Sequence, residues 1–262
     1  MSRTSLALRW GGQIAVIAVA VALAGCSAGE PRSVGPAGVD GLEIPTASPD
    51  PRDFVRVIDN PYLPLAAGSE WVYESVGGVV IETITVEVSG ATRTVDGVIA
   101  TEVTTVVGGS SGSMRSTDFF AQDRKGNVWS FGGDGWLSGV DGAEAGLVMP
   151  ATPRVGDGFR QQYAPGIAEG RSRVLDTAAS ATTSYDSWTG LVEVLETSGV
   201  ATEEATRFYA PGVGLVLAEA ADVTTELVAY GTADRPRGAS AAAPQSGRRT
   251  WVRPSSPSSS TG

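Results

Sequence analysis

Histidine is absent from the 262 residues, and cysteine and lysine occur once each, as Cys26 and Lys125. Without an imidazole there can be no Ser-His-Asp triad, no His-activated thiol and no His-containing zinc site. Gly108-Gly109-Ser110-Ser111-Gly112 fits the G-x-S-x-G pattern of a nucleophile elbow. An elbow, however, needs a strand, a sharp turn, a helix and a His base, and the glycine and serine around this stretch read as a loop. A serine–lysine dyad would have to use Lys125, which sits among turn-forming residues. A single cysteine allows no intramolecular disulfide. Beyond the N-terminal segment no apolar run approaches the roughly 18–20 residues of a membrane-spanning helix. Positive charge is scarce too: 19 Lys and Arg stand against 29 Asp and Glu, a formal charge of −10. That balance argues against a nucleic-acid partner, whose phosphates call for clustered Lys and Arg.

What the chain does have begins at its start. Arg3 and Arg9 precede an apolar run from Ile14 to Leu23, which ends in Leu23-Ala24-Gly25-Cys26. A run of that length suits a signal-peptide core better than a membrane span. The small residues before the cysteine resemble the bacterial lipobox. The resemblance implies removal of residues 1–25, a diacylglycerol thioether on Cys26, and a chain held at the extracytoplasmic face of the cell membrane. At about 0.8 kcal/mol per buried CH₂, two acyl chains anchor a protein firmly. Loss of Arg3 and Arg9 without any acid makes the mature chain still more acidic.

Residues 26–52 are mainly Gly, Pro, Ser and Ala, a flexible tether. Residues 232–262 show no apolar periodicity and end in Ser and Pro; their arginines, among them Arg248 and Arg249, give this disordered tail a positive sign. Between them, residues 53–231 read as one β-domain. In Val80-Ile81-Glu82-Thr83-Ile84-Thr85-Val86-Glu87-Val88, Ile84, Val86 and Val88 share one face and Thr83, Thr85 and Glu87 the other, the alternation of a half-buried strand. Residues 98–107 repeat the pattern, with Ile99, Val103 and Val107 on one face, and Asp96-Gly97 before them is a hairpin signal. A second hairpin is expected from residues 119–122 and 128–131 around Asp123-Arg124-Lys125-Gly126-Asn127. Six further segments between residues 158 and 230 also read as strands. No helix longer than two turns is expected. The fold class is therefore all-β: a single antiparallel sandwich, or a strongly curled half-barrel sheet, of about ten strands.

Several stretches together resemble a family of uncharacterised β-rich lipoproteins of high-GC Gram-positive bacteria. They are Ile58-Asp59-Asn60-Pro61-Tyr62-Leu63-Pro64-Leu65, Gly68-Ser69-Glu70-Trp71-Val72-Tyr73-Glu74, Ala121-Gln122-Asp123 with Gly126-Asn127-Val128-Trp129, Val148-Met149-Pro150-Ala151, and Tyr209-Ala210-Pro211-Gly212-Val213-Gly214-Leu215-Val216. The resemblance implies an envelope location and a β-rich domain, with no assigned activity. The last stretch also looks like a hairpin of periplasmic β-sheet lipoproteins, some of which carry lipids on a half-barrel.

Carboxylates are the chemistry that remains. Asp118, Asp123, Asp134, Asp141 and Glu144 fall in one segment with Trp129, Phe131 and Trp136. Trp71, Tyr73, Phe119, Phe120, Trp129, Phe131 and Trp136 are aromatics that could line a pocket for an apolar ligand or a sugar, and Trp129, Phe131, Trp136, Asp123 and Asp141 are the candidate ligand-binding residues. The insertion between Gly132 and Pro153 reads as a long irregular loop, a common location for function. Asp123 with Asn127 lacks the spacing of a calcium loop, and no metal, cofactor or catalytic residue is implied. Two functions remain open. One is a non-enzymatic binding or scaffolding module for an envelope lipid, glycan or protein, attached to the membrane through Cys26. The other is a carboxylate-dependent hydrolase of cell-wall polysaccharide, which needs two carboxyls roughly 5–10 Å apart.

Overall fold

The computed structural model describes residues 50–77, 80–110, 112–201 and 203–233; Cys26, most of the tether and nearly all of the tail lie outside the described residues. A single 3-10 turn, Pro51–Asp53, starts where the Asp50 carboxylate accepts a hydrogen bond from Arg52 N. The described residues after it form strands, turns and connecting segments: β1 (Phe54–Val55), β2 (Glu70–Gly77), β3 (Val80–Glu87), β4 (Thr92–Val95), β5 (Val98–Gly109), β6 (Gly112–Asp123), β7 (Val128–Gly133), β8 (Trp136–Leu137) and β9 (Gly146–Met149). These are followed by β10 (Gly158–Arg160), β11 (Gly170–Thr182), β12 (Ser187–Ser198), β13 (Glu204–Ala210), β14 (Gly214–Ala220) and β15 (Val223–Gly231).

All fifteen belong to one antiparallel sheet in the order β10-β11-β12-β13-β14-β15-β2-β3-β5-β6-β7-β8, with β1, β4 and β9 added beside β6, β5 and β7. The excess over the ten expected strands is mostly in pieces of two to four residues, too short for any period to show. The turn at Asp96-Gly97 has positive φ at both residues, 50° and 78°, as a type I′ hairpin requires. It joins β5 to β4, which the alternation alone did not reveal. The stretch between Gly132 and Pro153 is likewise not irregular, because β8 and β9 both pair with β7. Gly108, Gly109 and Gly112 close the β5–β6 hairpin and lie in its strands.

Burial in β3 follows the period-2 pattern, and burial in β5 departs from it. Ile84 and Val88 are buried while Thr83 and Glu87 face solvent. In β5, Val103 and Val107 are buried as expected, but Ile99 is exposed and Val98 and Ala100 are buried instead. The buried side of this long strand therefore changes between Ala100 and Val103. Its first half is covered on the opposite face, where Pro51 packs against Gly97 and Ser138 donates to Asp96 Oδ2 at 2.9 Å.

The sheet curls until its two edge regions touch without forming a closed ladder. Glu144 N donates to Tyr163 O at 2.8 Å in an isolated bridge, Arg160 pairs with Glu144, and Gly146 lies against the Gln161 backbone. A Cβ on Gly146 would sit 2.3 Å from the Gln161 carbonyl, so only glycine allows this approach. Gly146→Ala is expected to destabilise the protein by about 1–3 kcal/mol in urea unfolding. Gly108→Ala, whose new methyl meets nothing nearer than Thr83 O at 3.9 Å, should change stability by less than about 1 kcal/mol.

Candidate functional site: a cavity inside the curled sheet

One end of the curled sheet is closed by the segment before β2. Asn60 is 1% exposed, and its carboxamide uses every bonding position it has. Its Nδ2 donates to Gly126 O at 2.8 Å and Pro150 O at 3.1 Å, while its Oδ1 accepts from Tyr62 N and Leu63 N. The Asn60 and Asp59 amides both donate to Gln122 Oε1, and Gln122 Nε2 donates back to Asp59 Oδ1. On the other side of the same segment, Pro61 O accepts from Gly212 N in the β13–β14 turn at 2.7 Å. Trp71 Nε1 donates to Val213 O at 2.7 Å. Residues 59–65 thus tie the β6–β7 wall to the β13–β14 wall and floor the space between.

Above that floor lies a cavity of about 310 Å³ lined by both walls of the sheet, a volume at the lower end of the range for small-molecule sites. Leu63, Leu65, Trp71, Val86, Phe120 and Leu215 line its closed end. At the opposite end the lining reaches the hairpin tips, where Val200, Ala201, Ala220 and Val223 are half-exposed and Ile167 is exposed. A polar belt separates the two. Arg207 Nε lies 2.5 Å from Glu196 Oε2, and Tyr209 donates to the same carboxylate at 3.4 Å. Tyr73 donates to Leu215 O at 3.1 Å. Burial pushes the Tyr73 and Tyr209 phenols well above their ordinary range. Burial opposes the Arg207 charge, but Glu196 and the two tyrosines beside it hold the guanidinium pKa above its usual value.

Asp118 lines the cavity from β6. Val103 opposes it on β5 and Gly133 on β7. Gly133 makes room, since a Cβ there would lie 2.4 Å from Asp118 Oδ1. Asp134, next along the chain, is held by Thr117 N at 2.9 Å. Burial raises the Asp118 carboxyl to about 7, and the Asp134 charge adds to the effect. Among the described residues the Asp118 carboxyl has no hydrogen-bond or ion-pair partner.

The five residues expected from sequence to contact a ligand lie elsewhere. Trp129 and Phe131 flank Ser130 on β7; Ser130 lines the cavity, so period 2 turns the two aromatics to the other face. There Phe131 is fully buried, edge-on to Phe54 with centroids 5.3 Å apart. Asp123 organises the β6–β7 turn, accepting from Lys125 N, Asn127 N, Asn127 Nδ2 and Trp129 Nε1 at 2.8–3.0 Å. Asp141 is an exposed turn residue with φ of 51°. Trp136 packs with Ala143, Ala164 and Ala168 in a small cluster, and of these Ala168 lines the cavity. The structure therefore brings Asp123 and Trp129 together and keeps the other three apart. Of the aromatics expected to line a pocket, Trp71, Tyr73 and Phe120 do so. Sequence reasoning missed Glu196, Arg207 and Tyr209 as cavity residues; the signal for the last two was their two-residue spacing on one strand. Among the described residues no three Cys, Asp or Glu side chains converge to hold a metal ion.

No family model matches the chain, and no curated protein matches it significantly. Two solved structures do. A Bacteroides fragilis protein described as exported, with a YmcC-like fold, matches at 12% identity and a TM-score of 0.38, over 63% of this chain and 96% of its own. A Parabacteroides distasonis protein described as a lipoprotein matches at 14% identity and a TM-score of 0.32, over 64% and 97%. Both superpositions are loose.

The raised Asp118 pKa has a consequence for stability. Folding disfavours its charged form, so its stabilising contribution is complete below the unfolded value near 4 and is lost as pH rises through about 7. In thermal melts, Asp118→Asn is expected to gain on the wild-type protein steadily from pH 4 to pH 8. A constant difference across that range would contradict the assignment.

Proposed function

We propose that the chain is an extracytoplasmic lipoprotein, anchored through Cys26, whose curled sheet binds an apolar or amphiphilic small molecule of the envelope. The lipobox-like start and the resemblance to the high-GC Gram-positive lipoproteins support the address. The cavity carries the binding reading: about 310 Å³, floored by Leu63, Leu65 and Phe120 and reaching the apolar hairpin tips. A space of this kind inside one continuous sheet, rather than between side chains of a collapsed core, costs packing contacts that a bound chain would restore. The polysaccharide hydrolase draws no support from the site. Glu196 is committed to Arg207 and Tyr209, and the acid beside Asp118, Asp134, is bonded to the Thr117 amide.

Ala218 is buried in the cavity wall near the hairpin tips. Nile red, an uncharged apolar dye, is expected to bind the wild-type protein with blue-shifted emission, and Ala218→Trp to weaken binding at least about tenfold, a loss of 1.4 kcal/mol. Equal binding by both would place the dye outside the cavity. In the native host, Cys26→Ser should move the protein from the membrane to the soluble fraction; retention in the membrane would remove the anchor.

A further inference from the structure

The cavity lining has a lopsided charge. Asp118, Glu169, Glu196, Glu203 and Glu204 contribute carboxyl groups, against the single guanidinium of Arg207. That guanidinium is already answered by Glu196 at 2.5 Å. What remains is negative, and its enclosed member is Asp118. Among the described residues no cation acts on it. Val103 faces it from β5, Gly133 from β7, and the nearest charged side chain acting on it is another carboxylate, Asp134. The exposed Glu203 and Glu204 extend the same sign to the hairpin tips.

A half-buried carboxyl without a partner is costly, and replacing it by a neutral residue would be simple at a position flanked by Val103 and Gly133. A ligand that brings a positive charge would relieve that cost. An anionic headgroup would meet Asp118 with no free cation to offset it. The apolar closed end, at Leu65, Val86, Phe120 and Leu215, accepts an alkyl chain extending past Asp118.

Resting on the small-molecule reading above, we infer that the cavity selects a cationic amphiphile, a protonated amine on an alkyl chain, with Asp118 as the residue that pairs with the ammonium. Its carboxylate accepts a charge-assisted hydrogen bond, stronger than a neutral one. Because burial and Asp134 keep this acid protonated in part near neutral pH, amine binding strengthens as pH rises through about 7.

Isothermal titration with dodecylamine, dodecanol and dodecanoate, each below its micelle-forming concentration, separates these claims. At pH 8 the wild-type protein is expected to bind the amine at least about tenfold more tightly than the alcohol, and the alcohol more tightly than the carboxylate. That tenfold corresponds to 1.4 kcal/mol. At pH 5.5 the preference for the amine should shrink. Asp118→Asn should abolish it, with a cooperative thermal melt showing that the variant is folded. Asp134→Asn should keep the preference and shift its pH dependence downward, since one of the charges opposing ionisation of Asp118 is gone. Equal affinities for the three probes, or an amine preference that survives Asp118→Asn, would overturn the inference and leave the binding cavity standing. Failure of all three to bind would overturn the cavity reading itself.

Discussion

The saturated carboxamide of Asn60 is the constraint on which the rest of this structure depends. A fifteen-stranded antiparallel sheet has no intrinsic reason to keep an interior. Twist curls it, but the walls could still collapse onto one another or splay. Asn60 fixes the segment of residues 59–65 against Gly126 and Pro150 on one wall, and Pro61 receives Gly212 from the other. A buried side chain with all its donors and acceptors engaged is expensive to displace, because each bond broken leaves a desolvated group. The floor is therefore held at a set spacing, and the closed end of the cavity inherits that spacing. The stretches Asp59-Asn60, Gln122-Asp123, Gly126-Asn127, Pro150-Ala151 and Pro211-Gly212 all meet in this one network, together with the Asn127 Oδ1 that accepts from Ala151 N at 2.9 Å.

The interior above the floor departs from what stability alone would select. The Arg207–Glu196 pair sits within a mainly apolar wall, where desolvation offsets much of the attraction, and Asp118 has no partner among the described residues. Against these stand the outer-face contacts of the same strands: Phe119 beneath Arg93 at 5.1 Å, Phe131 against Phe54, Trp129 bonded to Asp123. The β6–β7 wall is thus packed on its outer face and left polar and open on its inner one. A strand built this way supports a site, because the outer packing fixes the backbone from which inner residues project.

How much of this was legible in the sequence depended on which face was in question. The all-β class, the hairpin around Asp123 and the later strands follow from period-2 alternation and turn residues. So does the burial of Ile84 and Val88. The alternation fails where both faces are covered. Val128-Trp129-Ser130-Phe131 is buried throughout, and nothing local tells which side of β7 faces the cavity, so the large aromatics drew attention away from Ser130. Phe119 and Phe120 pose the same ambiguity on β6, so Asp118 stood out as a carboxylate but not as one facing the cavity. The switch of faces in β5 is a tertiary effect of the chain packed near Gly97 and carries no signature in residues 98–107. The role of Asn60 was hidden for a different reason: the partners that tie it to the β6–β7 wall, Gln122, Gly126 and Pro150, lie more than 60 residues away in sequence.

The central claim is that the curled sheet takes an alkyl chain into its interior. Solution NMR on the methyl-labelled protein tests it most directly, through intermolecular contacts between the chain protons of dodecylamine and the protein methyl groups. The account predicts cross-peaks to Val103, Leu215 and Val223, which all line the cavity. Cross-peaks confined to outward methyls such as Ile99 and Val57, which are exposed, would contradict it.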